Sequence, residues 1–263
     1  MTPGDAAFRN ASLGLAADKD TYHGIENITG SNFADWIEGD AGKNLIFGMS
    51  GNDTIYGMAG DDEIRAGTGS DEVHGGDGND SLSWDETDGV GDLFYGEGGN
   101  DSFRGGDFDQ CFGGDGNDGF GIMGSHGLYS GGEGNDSFSA TNQSGSPNLV
   151  GNRVDGGNGF DSLHIGAPVL RVLQLTSIEY IWSLQSAAAP AVIYCDDSVD
   201  LSGATLAGYL DLRAGVDTAI SISGPVGVRW SSDAPYTRVR FFGGLGNDVL
   251  TGGTLADEFY GGA

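Results

Sequence analysis

A single apolar residue recurs every nine residues through the first half of the chain, among glycines and polar side chains. Between residues 48 and 83, four consecutive repeats read GMSGNDTIY, GMAGDDEIR, AGTGSDEVH and GGDGNDSLS, with Ile55, Ile64, Val73 and Leu82 at position 8. One apolar residue in nine is too few for an amphipathic helix, which needs three or four in two turns. Side chains of a strand alternate between faces, so positions 7 to 9 predict a three-residue strand whose central side chain points inward. The pattern therefore predicts an all-β chain of short stacked strands.

The six residues before each predicted strand are rich in glycine, which supplies the positive φ angles that tight turns need. The nine-residue spacing holds from Gly30 to about His164, with irregular copies, and returns at residue 243. A stack of repeats needs an atypical segment over its open end. We therefore divide the chain into a capping segment (1–29), a repeat region (30–164), an irregular β section (165–242) and a second repeat block (243–263).

The irregular section loses the nine-residue pattern and shows short alternating apolar runs separated by turn residues, which predict strands. These runs are Val169–Leu175, Ile178–Trp182, Ala191–Tyr194, Ala219–Ile222, Val226–Trp230 and Arg238–Phe242.

Position 6 of the repeats is acidic almost throughout. The residues at this position include Asp35, Asn44, Asp53, Asp62, Asp71, Asp80, Asp92, Asp101, Asp109, Asp118, Asp136, Asp161, Asp248 and Asp257. If two nonapeptides make one coil, residues 18 apart lie above one another and the acids form two columns. Such columns need a counter-ion, and a hard cation that accepts six to eight oxygen ligands, as calcium does, fits them best. A single aspartate of this kind is also explained as a turn residue that bonds its own backbone, but turn chemistry does not explain the fixed period.

Residues 75–83, GGDGNDSLS, match the nonapeptide G-G-x-G-x-D-x-U-x at every fixed position. The chain thus resembles the RTX (haemolysin-type) calcium-binding repeats of secreted bacterial proteins. The resemblance implies a parallel β-roll, which is a right-handed β-solenoid, with several bound Ca²⁺ ions as cofactor. It also implies export by type I secretion, folding outside the cell and an extracellular location.

The resemblance further implies that backbone carbonyls of the turns complete each calcium site. One site would join Gly76, Gly78 and Asp80 to Gly96, Gly98 and Asp101, and its neighbour would join Met58, Gly60 and Asp62 to Gly75, Asp77 and Asp80. Across the array the turn ligands would be Gly48, Ser50, Gly51, Gly57, Met58, Ala59, Gly60, Ala66, Thr68, Gly75, Gly76, Asp77, Gly78, Gly96, Glu97, Gly98, Gly99, Gly113, Gly114, Asp115, Gly116, Gly131 and Glu133. Asn44 and Asn152 offer a neutral oxygen and Gly127 offers none, so sites there should be weak or missing.

The formal net charge of −28 opposes nucleic acid and anionic membranes as partners and favours cations. No run of 18 apolar residues predicts a membrane span. The chain ends in mid-motif at residues 261–263, which predicts a fragment of a larger parent polypeptide.

We therefore expect a non-enzymatic, calcium-folded module. An alternative is an adhesin or polysaccharide-binding module that uses the basic and aromatic residues of the irregular section, namely Arg229, Trp230, Tyr236, Arg238 and Arg240, to bind an extracellular glycan. An enzyme is less favoured, since neither H-E-x-x-H nor G-x-S-x-G occurs.

Overall fold

The computed structural model describes residues 5–10, 20–23, 26–83, 89–141, 148–167, 169–183, 191–199, 205–207, 209–214, 238–242 and 258–260. Every regular element in these ranges is a β-strand, which confirms the all-β prediction. The described ranges contain no helix that is long and apolar enough to cross a membrane. The chain forms two compact units, Met1–Phe120 and Gly121–Ala263.

The first unit consists of two sheets that the chain visits in turn. Its strands are β1 (Asp5–Asn10), β2 (Asp20–His23), β3 (Asn27–Thr29), β4 (Asp35–Glu38), β5 (Leu45–Phe47), β6 (Thr54–Ala59), β7 (Glu63–Arg65), β8 (Glu72–Asp77), β9 (Ser81–Ser83), β10 (Leu93–Gly98), β11 (Ser102–Gly105) and β12 (Gln110–Asp115). One sheet has the order β2-β1-β4-β6-β8-β10-β12 and the other β3-β5-β7-β9-β11. β1 pairs antiparallel with β2 and β4, whereas the repeat strands pair in parallel, β4 with β6, β5 with β7, β6 with β8 and β7 with β9. Ile37 pairs with Ile55, and Ile55 with Val73, which confirms a coil of two nonapeptides.

The second unit continues the same alternation. After β13 (Gly119–Ile122), which spans the division, come β14 (Leu128–Glu133), β15 (Ser137–Ala140), β16 (Asn148–Asn158), β17 (Ser162–Ile165), β18 (Val169–Thr176), β19 (Tyr180–Trp182), β20 (Ala191–Val199), β21 (Thr205–Ala207), β22 (Tyr209–Ala214), β23 (Arg238–Phe242) and β24 (Glu258–Tyr260). Within this unit the sheet orders are β14-β16-β18-β20-β22-β23-β24 and β15-β17-β19-β21, and the pairs are parallel.

Strand length differs between the two sheets, contrary to the expectation of three residues everywhere. β5, β7 and β9 have three residues, but β6, β8, β10 and β12 have six. The longer strands continue through the first three positions of the next repeat because the parallel ladder does not stop there: Met58 pairs with Gly76, and Gly76 with Glu97. The turns that follow the long strands β6, β8 and β10 are therefore shorter than the turns that follow β5, β7 and β9.

The core is the row of position 8 side chains, as predicted. In the first unit these side chains belong to Ile37, Ile46, Ile55, Ile64, Val73, Leu82, Phe94, Phe103, Cys111 and Phe120, each at most 2% exposed. The rings of Phe103 and Phe120 stack with centroids 4.7 Å apart. Burying a side chain of this size stabilises the fold by about 1.5–3 kcal/mol, so each coil adds two such contributions.

The irregular section keeps the β architecture where it is described. Four predicted runs coincide with β18, β19, β20 and β23, while β21 and β22 were not predicted from the pattern. The runs at 219–222 and 226–230 lie outside the described residues.

Candidate metal centre

The position 6 residues of the first unit stack in two columns, each joined by backbone-to-carboxylate hydrogen bonds. In every step the N–H of one residue donates to Oδ1 of the aspartate one coil later. The first column runs from Asp35 to Asp53 (2.8 Å), Asp71 (2.7 Å), Asp92 (2.9 Å) and Asp109 (3.0 Å). The second column runs from Asn44 to Asp62 (2.7 Å), Asp80 (2.8 Å), Asp101 (2.7 Å) and Asp118 (2.8 Å).

The second unit contains the same device over fewer coils. Asp136 N–H donates to Asp161 Oδ1 at 2.7 Å, and Asp161 N–H donates to Oε2 of Glu179 at 2.7 Å. Gly127, which has no side chain, donates its N–H to Asn152 Oδ1 at 2.8 Å. The columns of both units are thus built by one rule, and a glutamate follows Asp161.

Glu179 was not among the predicted site residues. It lies 18 residues after Asp161, and the strands that follow the two residues pair in register, Ser162 with Tyr180. A Cβ at Gly156 would meet the Ser177 carbonyl oxygen, so Ser177 takes the place of a position 1 residue. Ser177 lies two residues before Glu179, whereas position 1 of a nonapeptide lies five residues before position 6. The turn that leads to Glu179 is therefore shorter than a nonapeptide turn. The extra methylene of glutamate lets its carboxylate reach the Asp161 N–H. The 18-residue spacing was the signal that could have identified it.

In five of these aspartates the second carboxylate oxygen has no hydrogen-bond partner. Oδ2 is buried and receives no donor in Asp53, Asp62, Asp80, Asp101 and Asp161. The residues themselves are at most 3% exposed. A buried carboxylate oxygen without a donor is strongly unfavourable, so each of these five oxygens is uncompensated within the protein.

A backbone carbonyl oxygen lies close to each of these Oδ2 atoms, in a space that only a glycine leaves open. A Cβ added at Gly57 would collide with both Asp62 Oδ2 and the Gly75 carbonyl oxygen. The same holds for Gly48 with Asp53 and Ala66, for Gly75 with Asp80 and Gly96, and for Gly96 with Asp101 and Gly113. The aspartate Oδ2 of one coil and the position 1 carbonyl oxygen of the next coil therefore lie next to the same glycine.

The other turn positions lie differently. Position 3 carbonyls already accept backbone hydrogen bonds, for example Asp77 from Gly60 N–H at 2.7 Å. The position 2 side chains of Met58 and Glu97 are exposed, and both residues have positive φ (85° and 73°). A carbonyl oxygen has two lone pairs, so a bonded position 3 carbonyl keeps one for an ion. Asp248 and Asp257 lie outside the described residues.

Burial raises the pKa of six column carboxyls above the ordinary 3.8, to about 7 for Asp53, Asp62 and Asp101 and about 6 for Asp80, Asp118 and Asp161. For Asp53 the backbone hydrogen bond to Asp35 opposes the rise, and the charges of Asp71 and Asp35 add to it. The folded columns therefore disfavour the ionised form of these six carboxyls.

These features fit calcium. Among the described residues no three acidic, histidine or cysteine side chains cluster tightly enough to hold a metal by themselves. Carboxylate and carbonyl oxygens together are the donors that calcium takes, and both kinds meet beside Gly48, Gly57, Gly75 and Gly96. By contrast, Asn44 Oδ1 accepts from Asp40 N–H at 2.8 Å, and Asn152 Nδ2 donates to the Gly124 carbonyl at 3.2 Å, so both amides are already engaged within the protein.

A second ladder, not predicted, runs beside the acids at position 5. Asn79 N–H donates to Asp61 Oδ1 at 2.9 Å, and the same bond links Asn100 to Asn79 and Asn117 to Asn100, at 2.9 and 2.7 Å. The bond from Asn79 lowers the pKa of Asp61. The exposed ladder fixes the turns that contain the aspartates, and the recurring Asn-Asp pairs were its sequence signal.

Comparison with known proteins supports this site. A family model described as RTX calcium-binding nonapeptide repeat (4 copies) matches residues 24–55, 47–82 and 240–263. These ranges cover less than half of the chain and include the first coils of both columns. No curated protein matches the chain.

Proposed function

The chain carries RTX calcium-binding nonapeptide repeats, and we propose that it is a calcium-folded structural module of a larger secreted bacterial protein. The observation that carries the proposal is the row of buried Oδ2 atoms without a donor, each beside a backbone carbonyl oxygen. Repeats of this family serve as calcium-binding structure, and we propose a non-enzymatic role for this chain.

Electrostatics supports a requirement for cations. Neighbouring coils are about 4.8 Å apart, and two like charges at that distance repel by roughly 1 kcal/mol in water and about 3–4 kcal/mol at an effective dielectric of 20. A column of such charges opposes folding unless an ion lies between its members. A divalent ion supplies the positive charge that the buried carboxylates lack.

We propose that each ion is held by the Oδ2 of one aspartate and the position 1 carbonyl of the next coil. The pairs are Asp53 with Ala66, Asp62 with Gly75, Asp80 with Gly96, and Asp101 with Gly113. Carbonyls at positions 2 to 4 and the next aspartate of the column would complete the shell, as the family resemblance implies. Asp248 and Asp257 would begin further sites in the second repeat block.

The same charges suggest how folding is coupled to secretion. Without calcium, a chain with a net charge of −28 and unneutralised columns repels itself and stays unfolded. At about 10 mM calcium and site constants near 10⁻⁴–10⁻³ M, each site stabilises the fold by roughly 1.4–2.7 kcal/mol. Several sites together equal the stability of an ordinary domain, about 5–15 kcal/mol. Folding would therefore begin outside the cell.

The alternative glycan-binding role through the irregular section has less support. Arg229, Trp230 and Tyr236 lie outside the described residues, and Arg238 and Arg240 are placed only as part of β23.

Circular dichroism tests the proposal. In chelator the full chain should show much less β signal than in calcium, and adding calcium should restore the signal cooperatively, while magnesium should substitute poorly because it demands a stricter octahedral shell. A chain that is equally folded in chelator and in calcium would overturn the proposal.

A further inference from the structure

A shallow groove of about 580 Å³ lies on the outer face of β15, β17 and β19, within the second unit. Its walls include Phe160, Tyr180 and Trp182, and its polar lining includes Asn135, Ser137 and Ser162. The calcium columns do not explain the three aromatic rings.

The register of the three strands shapes the groove. Ser137 pairs with Ser162, and Ser162 with Tyr180, so two small side chains form a floor that ends at a large ring. Two residues further along the same strands, on the same face, His164 pairs with Trp182. The rings of His164 and Trp182 stack with their centroids 3.9 Å apart and their planes at 22°. The stacking fixes the indole beside the tyrosine. Two strand spacings give the floor a width of about 10 Å.

Phe160 takes the position 5 place that Asn135 holds one coil earlier. Its backbone N–H donates to Asn135 Oδ1 at 2.8 Å, which continues the ladder without any use of the side chain. The ring is 57% exposed. The local structure therefore does not require an aromatic residue at this point, and the ring is available to a ligand.

We propose that this groove binds a neutral saccharide. Sugars present C–H faces that pack on aromatic rings and hydroxyl groups that bond to serine and asparagine, and the groove offers both kinds of surface. A purely apolar ligand would displace water from the polar floor and would offer no hydrogen bonds in place of those that the floor makes with water, which is unfavourable. The net charge of −28 repels acidic glycans.

The test is a titration of the full chain in millimolar calcium with cellohexaose, mannohexaose and, as the acidic comparator, a sialylated oligosaccharide. Calorimetry gives the affinity. Phe160→Ala and Trp182→Ala should each weaken binding of the neutral sugar by about tenfold or more, as loss of a principal contact ring does. Phe33→Ala is the matched control, because Phe33 is also 57% exposed but lies in the first unit, and it should leave the affinity unchanged.

The proposal is overturned if neither neutral hexaose binds, if the acidic comparator binds as tightly, or if Phe160→Ala keeps the full affinity. Phe160→Ala is the decisive variant if Trp182→Ala fails to fold, because Phe160 is an exposed turn residue. Circular dichroism in the same buffer separates this proposal from calcium-dependent folding. A chain that is folded without calcium contradicts the latter, while the sugar titration still decides the groove.

Discussion

The backbone N–H of Asp62 donates to Oδ1 of Asp80, 18 residues later, at 2.8 Å, while Oδ2 of both residues is buried without a donor. One oxygen of each carboxylate thus holds two coils together, and the other is left for a cation. The same division recurs along the columns and leads to predictions that separate a calcium ligand from a simple turn residue.

Replacing Asp80 with asparagine should have opposite effects with and without calcium. In calcium it should destabilise the chain by roughly 3–5 kcal/mol at about 10 mM ion, since an aspartate between two coils serves two sites. In chelator it should leave residual structure unchanged or increased, because it removes a buried charge and keeps the Oδ1 acceptor. The measurement is the calcium midpoint of folding together with the β signal in chelator.

Asp35→Asn is the matched control for that variant. Asp35 begins its column, and its Oδ2 already accepts from Ser31 N–H at 2.6 Å, so its midpoint should shift less than that of Asp80→Asn. Equal midpoints for the two variants would contradict the shared-ligand geometry.

Without metal, the chain should gain structure in acid. The folded pKa values near 7 for Asp53, Asp62 and Asp101 exceed the ordinary 3.8, so the folded state binds more protons than the unfolded state between these pH values. Stability from protonation is therefore full below about pH 4 and is lost as the pH rises through 6 to 7. In chelator, β signal should increase from pH 8 to pH 5. Light scattering in parallel distinguishes folding from aggregation, and a chain that loses structure on acidification would contradict the raised pKa values.

Gly57→Ala should remove a calcium site by occupying its space. The added Cβ would collide with Asp62 Oδ2 and the Gly75 carbonyl, so we expect a loss of roughly 1.4–2.7 kcal/mol in about 10 mM calcium. The calcium midpoint again reports the effect. Gly98→Ala serves as control, since its Cβ would lie 3.6 Å from Asp77 Oδ1, an ordinary contact. If both variants behave alike, the space beside Gly57 is not where the ion binds.

Glu179 should be sensitive to length rather than to charge. Glu179→Asp should break the bond from Asp161 N–H, with a cost of about 1.5–3 kcal/mol for a charged acceptor, because the shorter side chain does not span the abbreviated turn. Glu179→Gln keeps both length and an acceptor oxygen and should retain most of the stability. Amide exchange at Asp161 measures this directly, and equal protection in the Asp and wild-type proteins would rule out the bond as a structural requirement.

The irregular section should keep more structure in chelator than the repeat region does. Its alternating strands, such as β18 and β20, bury Leu170, Val172 and Ile193 without a continued aspartate column. Hydrogen exchange resolved by segment compares 165–242 with 30–164 when calcium is removed. Simultaneous loss of protection in both regions would mean that the irregular section depends on the repeats for its fold.

Sequence alone determined the parts of this protein that repeat. A position 8 apolar residue every nine residues specified an alternating two-sheet coil, because a strand has a period of two and each coil contains two strands. It also placed the acids of position 6 in columns. These features follow from local periodicity, which a sequence displays directly.

The tertiary structure decided what each carboxylate oxygen does. Only the stacking of coils shows that Oδ1 of Asp80 is occupied by a backbone donor while Oδ2 faces a carbonyl 16 residues on, at Gly96. Stacking also lengthens β6 and β8, brings Glu179 to Asp161, and sets Phe160 beside Tyr180 and Trp182. The contacts of Glu179 and Phe160 join residues from different coils whose side chains break the nonapeptide, so the nine-residue pattern does not reveal them.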